Sequence, residues 1–305
     1  MDVIRIASRR SQLALAQSRL VAERIAAAHP SLRVDIVPLN TRGDLMPGPL
    51  ANAGGKGLFT AELEESLRAG QMDIAVHSAK DLPALLPGDL SIIACPPRAD
   101  ARDAVVSREG VSLAELPANP RIGTSSPRRA AQVLAVRPDA RIVPIRGNVE
   151  TRLRKVFEDT EAVILAMAGL DRSGLTRSYA AMIHPLDLLA FVPASGQGVL
   201  AIEALTERTA LRDLTAPLDH APSHAALLAE RSVVRALETD CHSPIGVHVF
   251  LQGDRWHGLA LVASPVRLTT LVRAQAGPEA SAQAAGDALL RQLLDQGARR
   301  LLQEV

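Results

Sequence analysis

Hydrophobic and polar positions along the chain sort into short apolar runs and longer periodic stretches. Val3–Ala7 predicts a first strand, and Ser11 offers an N-cap to a helix running to about Ala28. His29-Pro30 ends that helix, because proline cannot continue the hydrogen-bond ladder. Arg33–Leu39 places Val34, Ile36 and Pro38 at alternate positions, the pattern of a second strand. Thr41–Gly57, rich in glycine and proline, predicts a long loop. A helix from about Phe59 closes at Gly70, and Asp73–His77 predicts a third strand. Strand, helix, strand, helix, strand in that order implies a parallel sheet with helices on both faces.

The idea then repeats. A turn at Gly123–Ser126 leads into a helix to about Val136, followed by strand Arg141–Ile145, a helix from Val149 and strand Ala162–Ala168. The stretch AFVPASGQGVLAIE (190–203) predicts a glycine-rich crossover into a further strand, and Pro96-Pro97 marks an earlier crossover. Two crossovers suggest two lobes around a cleft, as in hinge-closing binding proteins. After a helix at His220–Leu237 and a loop at 238–246, Val247–Leu251, Trp256–Val262 and Arg267–Ala274 predict an antiparallel meander. A helix from about Pro278 carries Leu289, Leu290, Leu293 and Leu294 as one stripe.

Composition narrows the function. Across 305 residues, 47% hydrophobic and 22% charged describe a globular, soluble chain of roughly two to three domains. Net charge is +1 and aromatics are 2%, which argues against a general nucleic-acid binder. No segment has the features of a signal peptide or a bilayer span, so no membrane partner is expected. The two cysteines, Cys95 and Cys241, have no disulfide or metal spacing, and the eight histidines form no metal motif. Cys95 in the apolar run LSIIAC reads as core, and a reducing, cytoplasmic setting is expected.

The basic charge that is present is local. In 121–155, Thr124, Ser125 and Ser126 precede Arg128 and Arg129, and a short strand delivers Arg146 into a second turn, RGN, before Arg152, Arg154 and Lys155. Unpaired amides at a helix start favour anions, and arginine forks match carboxylate or phosphate oxygens in pairs. Two such units suggest one pocket for a polyanion; a solvated basic face is the alternative. HSAKD (His77–Asp81) places a hydroxyl, an ammonium and a carboxylate at a strand end, fit for shuttling a proton or stabilising a cation, or else simply a surface ion pair. AGGKGLF (Ala53–Phe59) is not a phosphate-binding P-loop, since Leu50 stands where glycine is needed and Gly57 follows the lysine. It suits either a mobile flap carrying Lys56 or a plain loop. Cys241, in the loop LETDCHSPIG beside His242, is either a small buried hydrophobe, the commoner case for a single cysteine, or a site that permits covalent attachment through sulfur.

Taken together, IASRRSQLALAQ, TRGD, GGKGLF, DIAVHSAKDLP, GTSSPRR, RGNVETRLRK, ILAMAGLDR, PASGQG and ETDCHSPIG, in this order over residues 4–246, closely resemble the porphobilinogen deaminase (hydroxymethylbilane synthase) family. The resemblance implies an α/β fold: two periplasmic-binding-protein-like lobes around a cleft, plus a smaller C-terminal α/β domain with a three-stranded antiparallel sheet. It places domain 1 at 1–96 and 197–215, domain 2 at 97–196, and domain 3, which attaches the cofactor, at 216–305. It further implies a monomeric transferase of porphyrin (haem) biosynthesis. Such an enzyme adds four porphobilinogen units, each with loss of ammonia, to a dipyrromethane primer and releases the linear tetrapyrrole hydroxymethylbilane. By this matching Cys241 holds the dipyrromethane cofactor through a thioether, and Asp81 is catalytic, offsetting the cation left when ammonia departs. Ser78, Lys80, Thr124, Ser125, Ser126, Arg128 and Arg129 would hold the cofactor's carboxylates. Arg9, Ser11, Lys56, Arg146, Arg152 and Arg172 would bind substrate.

The chemistry agrees with the residues. Each pyrrole carries an acetate and a propionate, so a growing chain needs arginine forks in a protein of low overall charge. Departures from the family pattern are small: Asn52 replaces a second flap lysine of some members, Pro127 a larger apolar residue, and Thr239-Asp240 a frequent Gly-Gly. A non-catalytic anion-binding module and, more remotely, a nucleic-acid binder are the competing readings.

Overall fold

The computed structural model describes residues 2–45, 60–238 and 243–304. The chain forms two compact units, Met1–Arg98 with Val199–Ala225, and Ala99–Gly198 with Ala226–Val305.

The first unit contains β1 (Val3–Arg9), α1 (Gln12–Ala28), β2 (Arg33–Leu39), a single turn α2 (Arg42–Leu45), α3 (Ala61–Arg68), β3 (Ile74–Ser78) and β4 (Leu90–Ala94). From later in the chain come β10 (Leu200–Leu205) and α8 (Thr209–Thr215). The Ser11 hydroxyl accepts the Ala14 amide at 3.2 Å, which fixes the start of α1, and His29 ends it. α2 occupies the beginning of the expected Thr41–Gly57 loop; residues 46–59 of that segment lie outside the described residues. The sheet order is β2-β1-β3-β10-β4. β1 is parallel to β2 and β3, as the strand–helix alternation implies. β10 is antiparallel to β3 and β4, so the expected parallel sheet is mixed. The reason is connectivity: β10 arrives from the long crossover and is not bound by the right-handed strand–helix–strand rule. Alternation puts Ile4, Ile6, Ile74 and Ile202 on the face under α1, and Ala7 and Ala75 on the face under α3 with Leu63 and Leu67.

In the second unit the sheet is built from β5 (Asp103–Ser107), β6 (Arg121–Gly123), β7 (Arg141–Val143), β8 (Ala162–Ala166) and β9 (Ile183–Pro185). Its helices are α4 (Pro127–Val136), α5 (Val149–Glu158), α6 (Met167–Arg172) and the single turn α7 (Leu175–Ser178). Here the order is β7-β6-β8-β5-β9, with β6 parallel to β7 and β8, and β5 antiparallel to β8 and β9. The expected strand Ala162–Ala168 stops at Ala166 because Met167 opens α6.

The same unit continues through α9 (Ala221–Ala236), β11 (Ile245–Gln252), β12 (Arg255–Ala263), β13 (Leu271–Glu279), α10 (Ala282–Asp295) and α11 (Ala298–Leu302), with α9 beginning in the first. β11, β12 and β13 form the antiparallel meander. β13 begins later than the expected Arg267, because Ser264 Oγ accepts the Val266 and Arg267 amides and the Ser264 amide donates to the Thr270 carbonyl, closing a turn. Pro278 lies in β13, and the last long helix starts only after Ser281, whose hydroxyl accepts the Ala284 amide at 3.1 Å. Leu289 and Leu293 are buried from the predicted stripe, and Leu290 and Leu294 are half-buried. Among the described residues no helix is long and apolar enough to cross a membrane.

Candidate active site

The expected site residues gather at strand ends in both units. In the first, parallel β1 and β3 end on the same sheet edge. β1 delivers Arg9, with the cap Ser11 just beyond; β3 delivers Ser78 and a short 3-10 turn, Ala79–Asp81. Arg9, Ser11, Ser78 and Asp81 line one pocket, together with Gln17, Thr60 and His77. Gln17 Nε2 donates to Ser78 Oγ at 3.2 Å, joining α1 to β3. Asp81 is exposed and Lys80 beside it half-buried. Beneath Ser78, His77 Nε2 meets Glu203 Oε2 of β10 at 3.1 Å, and both side chains are buried. A pocket carrying arginine, carboxylate and imidazole suits a ligand with charged groups of both signs.

In the second unit the turn after β6 caps α4. Ser126 Oγ accepts the Arg129 amide, Thr124 Oγ1 accepts the Ser126 amide at 3.1 Å, and Pro127 occupies the first helical turn, where its missing N–H costs nothing. Ser125 Oγ donates to the Ile145 carbonyl at 2.7 Å, and the Thr124 amide donates to the Val143 carbonyl at 2.9 Å. These bonds bring the two turn-plus-arginine units side by side, as their spacing suggests. Arg146 is exposed in the second turn. There Gly147 has a φ of +103°, and a Cβ would meet the Thr151 side chain at 2.7 Å. Asn148 caps α5 by accepting the Thr151 amide, and half-buried Arg152 donates Nε to the Gly147 carbonyl at 2.8 Å.

Arg128 and Arg129 are held more tightly than their sequence position indicates, at 4% and 6% exposed. Asp103 Oδ2 accepts from Arg128 Nη1 at 2.8 Å, and Oδ1 accepts from Arg129 Nη2 at 2.7 Å and Nε at 3.0 Å. The Val192 and Ile164 carbonyls take further donors at 2.7 and 2.9 Å. Gln197 Nε2 adds a bond to Asp103 Oδ1 at 3.0 Å. Burial pushes the Arg128 guanidinium below its ordinary range; the Asp103 charge opposes that and Arg129 adds to it. Two guanidiniums against one carboxylate leave one excess positive charge in buried surroundings, which an anionic ligand would neutralise. Arg172, at the end of α6, donates Nη2 to the Gly198 carbonyl at 2.7 Å, and burial pushes its guanidinium down to about 10, so it stays charged at neutral pH.

Asp103 and the His77–Glu203 pair are the functional candidates that sequence reading missed. A lone acid opening the apolar run DAVVS was the available signal for Asp103. Lys56 and Cys241 lie outside the described residues.

Comparison with known proteins decides the family. The family model described as "Porphobilinogen deaminase, dipyromethane cofactor binding domain" matches residues 4–213. The chain belongs to the porphobilinogen deaminase family. A porphobilinogen deaminase of Roseiflexus sp. (strain RS-1) is 45% identical over 300 residues, covering 97% of each chain. One from Syntrophobacter fumaroxidans (strain DSM 10017 / MPOB) is 45% identical over 305 residues, covering 99% of this chain and 98% of its own. Among solved structures, the methionine-binding protein MetQ overlaps 75% of this chain and 96% of its own with a TM-score of 0.45 at 13% identity, too loosely to add to the argument. The residues present fit the family's cofactor. The hydroxyl-capped start of α4 and the unbalanced guanidinium charge provide donors and charge for carboxylates.

Proposed function

We propose that this protein is the transferase that joins four porphobilinogen units, releasing ammonia at each step, onto a covalently attached dipyrromethane primer and frees hydroxymethylbilane. The observation that carries this reading is the pocket at the ends of β1 and β3, where Arg9, Ser11 and Ser78 converge with the exposed Asp81 carboxylate. When bound, the dipyrromethane supplies the nucleophilic pyrrole carbon on which the chain is extended. Cys241 would anchor it through sulfur. Ser78, Lys80, Thr124, Ser125, Ser126, Arg128 and Arg129 would hold its carboxylates, with Asp103 fixing the two guanidiniums in place. Arg9, Ser11, Lys56, Arg146, Arg152 and Arg172 would bind the acetate and propionate groups of substrate. Asp81 offsets the positive charge left on the substrate methylene as ammonia departs. Three separate sheets support a three-domain division at 1–96 with 197–215, 97–196 and 216–305. The reading includes a monomeric, cytoplasmic enzyme that does not act on nucleic acid.

Two measurements test it. Purified protein should carry an adduct of dipyrromethane size on Cys241 by intact mass. Given porphobilinogen, it should release ammonia and a linear tetrapyrrole. A bare thiol in active protein removes the attachment, and anion binding without ammonia release favours the non-catalytic module.

A further inference from the structure

The pocket of the first unit has polar groups that the proposed activity leaves unused. His77 lines it, and its Nε2 faces Glu203 Oε2 at 3.1 Å. Register explains the contact: Glu203 pairs with Ala75 across the antiparallel β3–β10 ladder, which places it diagonally from His77 on the same sheet face. In the tautomer whose Nε2–H donates to Glu203 Oε2, Nδ1 of the ring is left as an acceptor. Glu203 Oε1 is buried without a hydrogen-bond partner among the described residues. So is Oγ1 of Thr60, another residue of the pocket. Buried acceptors without donors are costly, and a ligand that brings donors offsets the cost. The charged residues lining the pocket are Arg9 on β1 and Asp81 after β3, with Lys80 next to Asp81 and Glu203 of β10 behind His77. That mixture matches a small molecule carrying carboxylates for Arg9 and a cation for the acceptor-rich wall.

We propose that His77, oriented by Glu203, forms with Thr60 a subsite for the aminomethyl ammonium of porphobilinogen; the assignment rests on the activity proposed above. Held there, the nitrogen stays protonated until it leaves. The C–N bond then breaks, its electron pair goes with nitrogen as neutral ammonia, and the positive charge remains on the pyrrole methylene for Asp81 to offset. No proton is gained or lost in the step. His77 acts as a positioning and specificity residue, because it selects a leaving group that is a cation with N–H donors.

The test compares porphobilinogen with its hydroxymethyl analogue, in which an uncharged hydroxyl replaces the ammonium, using holoenzyme whose cofactor content is verified by mass. His77→Gln should lower kcat/KM on porphobilinogen by about tenfold to a hundredfold, mainly through KM, the loss expected for one charge-assisted hydrogen bond. The analogue should change by less than about threefold, since it never used the charge. Glu203→Gln should produce the same selective loss at smaller size. In the intact wild-type protein, the His77 imidazole nitrogen resonances should shift on titration with methylammonium chloride. Equal losses on both substrates, or unmoved His77 resonances, overturn the subsite. A wild-type protein that releases no ammonia overturns the underlying activity instead, and the methylammonium titration then still decides the subsite. If His77→Gln fails to fold, Glu203→Gln and the titration decide it by the same outcomes.

Discussion

The two five-stranded sheets share one strand pattern, and each carries a buried carboxylate on its antiparallel fourth strand: Glu203 on β10 and Asp103 on β5. The surroundings differ. Asp103 binds two guanidiniums and the Gln197 amide, all within 3.0 Å, so both oxygens are engaged. Glu203 meets one imidazole with Oε2, and its Oε1 has no hydrogen-bond partner among the described residues. The same architectural position therefore serves two purposes. In the second unit the acid is a lock, fixing two arginines in place through both of its oxygens. In the first it is a reserve, holding a polar group ready beside the pocket in which chemistry is proposed.

Breaking the lock should have the largest effect. Asp103→Ala strands two buried guanidiniums, and unfolding in urea should show a loss of about 3–5 kcal/mol. A loss under about 1 kcal/mol would mean that water or another anion already satisfies them. Asp81→Asn probes the exposed carboxylate of the first unit. Its turnover should fall about a thousandfold, roughly 4 kcal/mol of barrier, while stability and the Cys241 adduct persist. Near-normal turnover would remove Asp81 from the mechanism. Ser126→Ala deletes the cap of α4 and should cost about 1 kcal/mol in thermal unfolding, with weaker retention of carboxylates at that helix start. Glu203→Gln should change stability least, by under about 1 kcal/mol, because an amide oxygen of the same shape can still accept from His77. A destabilisation as large as that of Asp103→Ala would show that both acids are locks and end the contrast.

Much of the fold is legible locally. Ser11 and His29-Pro30 bound α1, and Ser126-Pro127 opens α4, because caps and proline act on their immediate neighbours. Strand direction is not legible in this way. Periodicity does not announce β5 and β9, and it leaves the orientation of β10 open, because each is fixed by pairing with residues far along the chain. β13 starts later than its apolar pattern implies, since nothing in Arg267–Thr270 reveals that Ser264 folds it into a turn. For the site, hydroxyls and arginines in glycine-containing turns advertise anion binding. The acids behind them do not, since a single Asp or Glu in an apolar strand has no motif of its own. Only the sheet register reveals that Glu203 reaches His77.

The position of β10 has a consequence for how the protein is made. β10 lies between β3 and β4, although some hundred residues separate it from β4 in the chain. While a ribosome is still extending the nascent polypeptide, those two strands present open edges and the first sheet has a gap at its fourth place. The second sheet, complete once β9 emerges, can close earlier although it begins later. Vectorial synthesis thus finishes the arginine-bearing sheet first and leaves the one bearing Asp81 waiting for its missing strand.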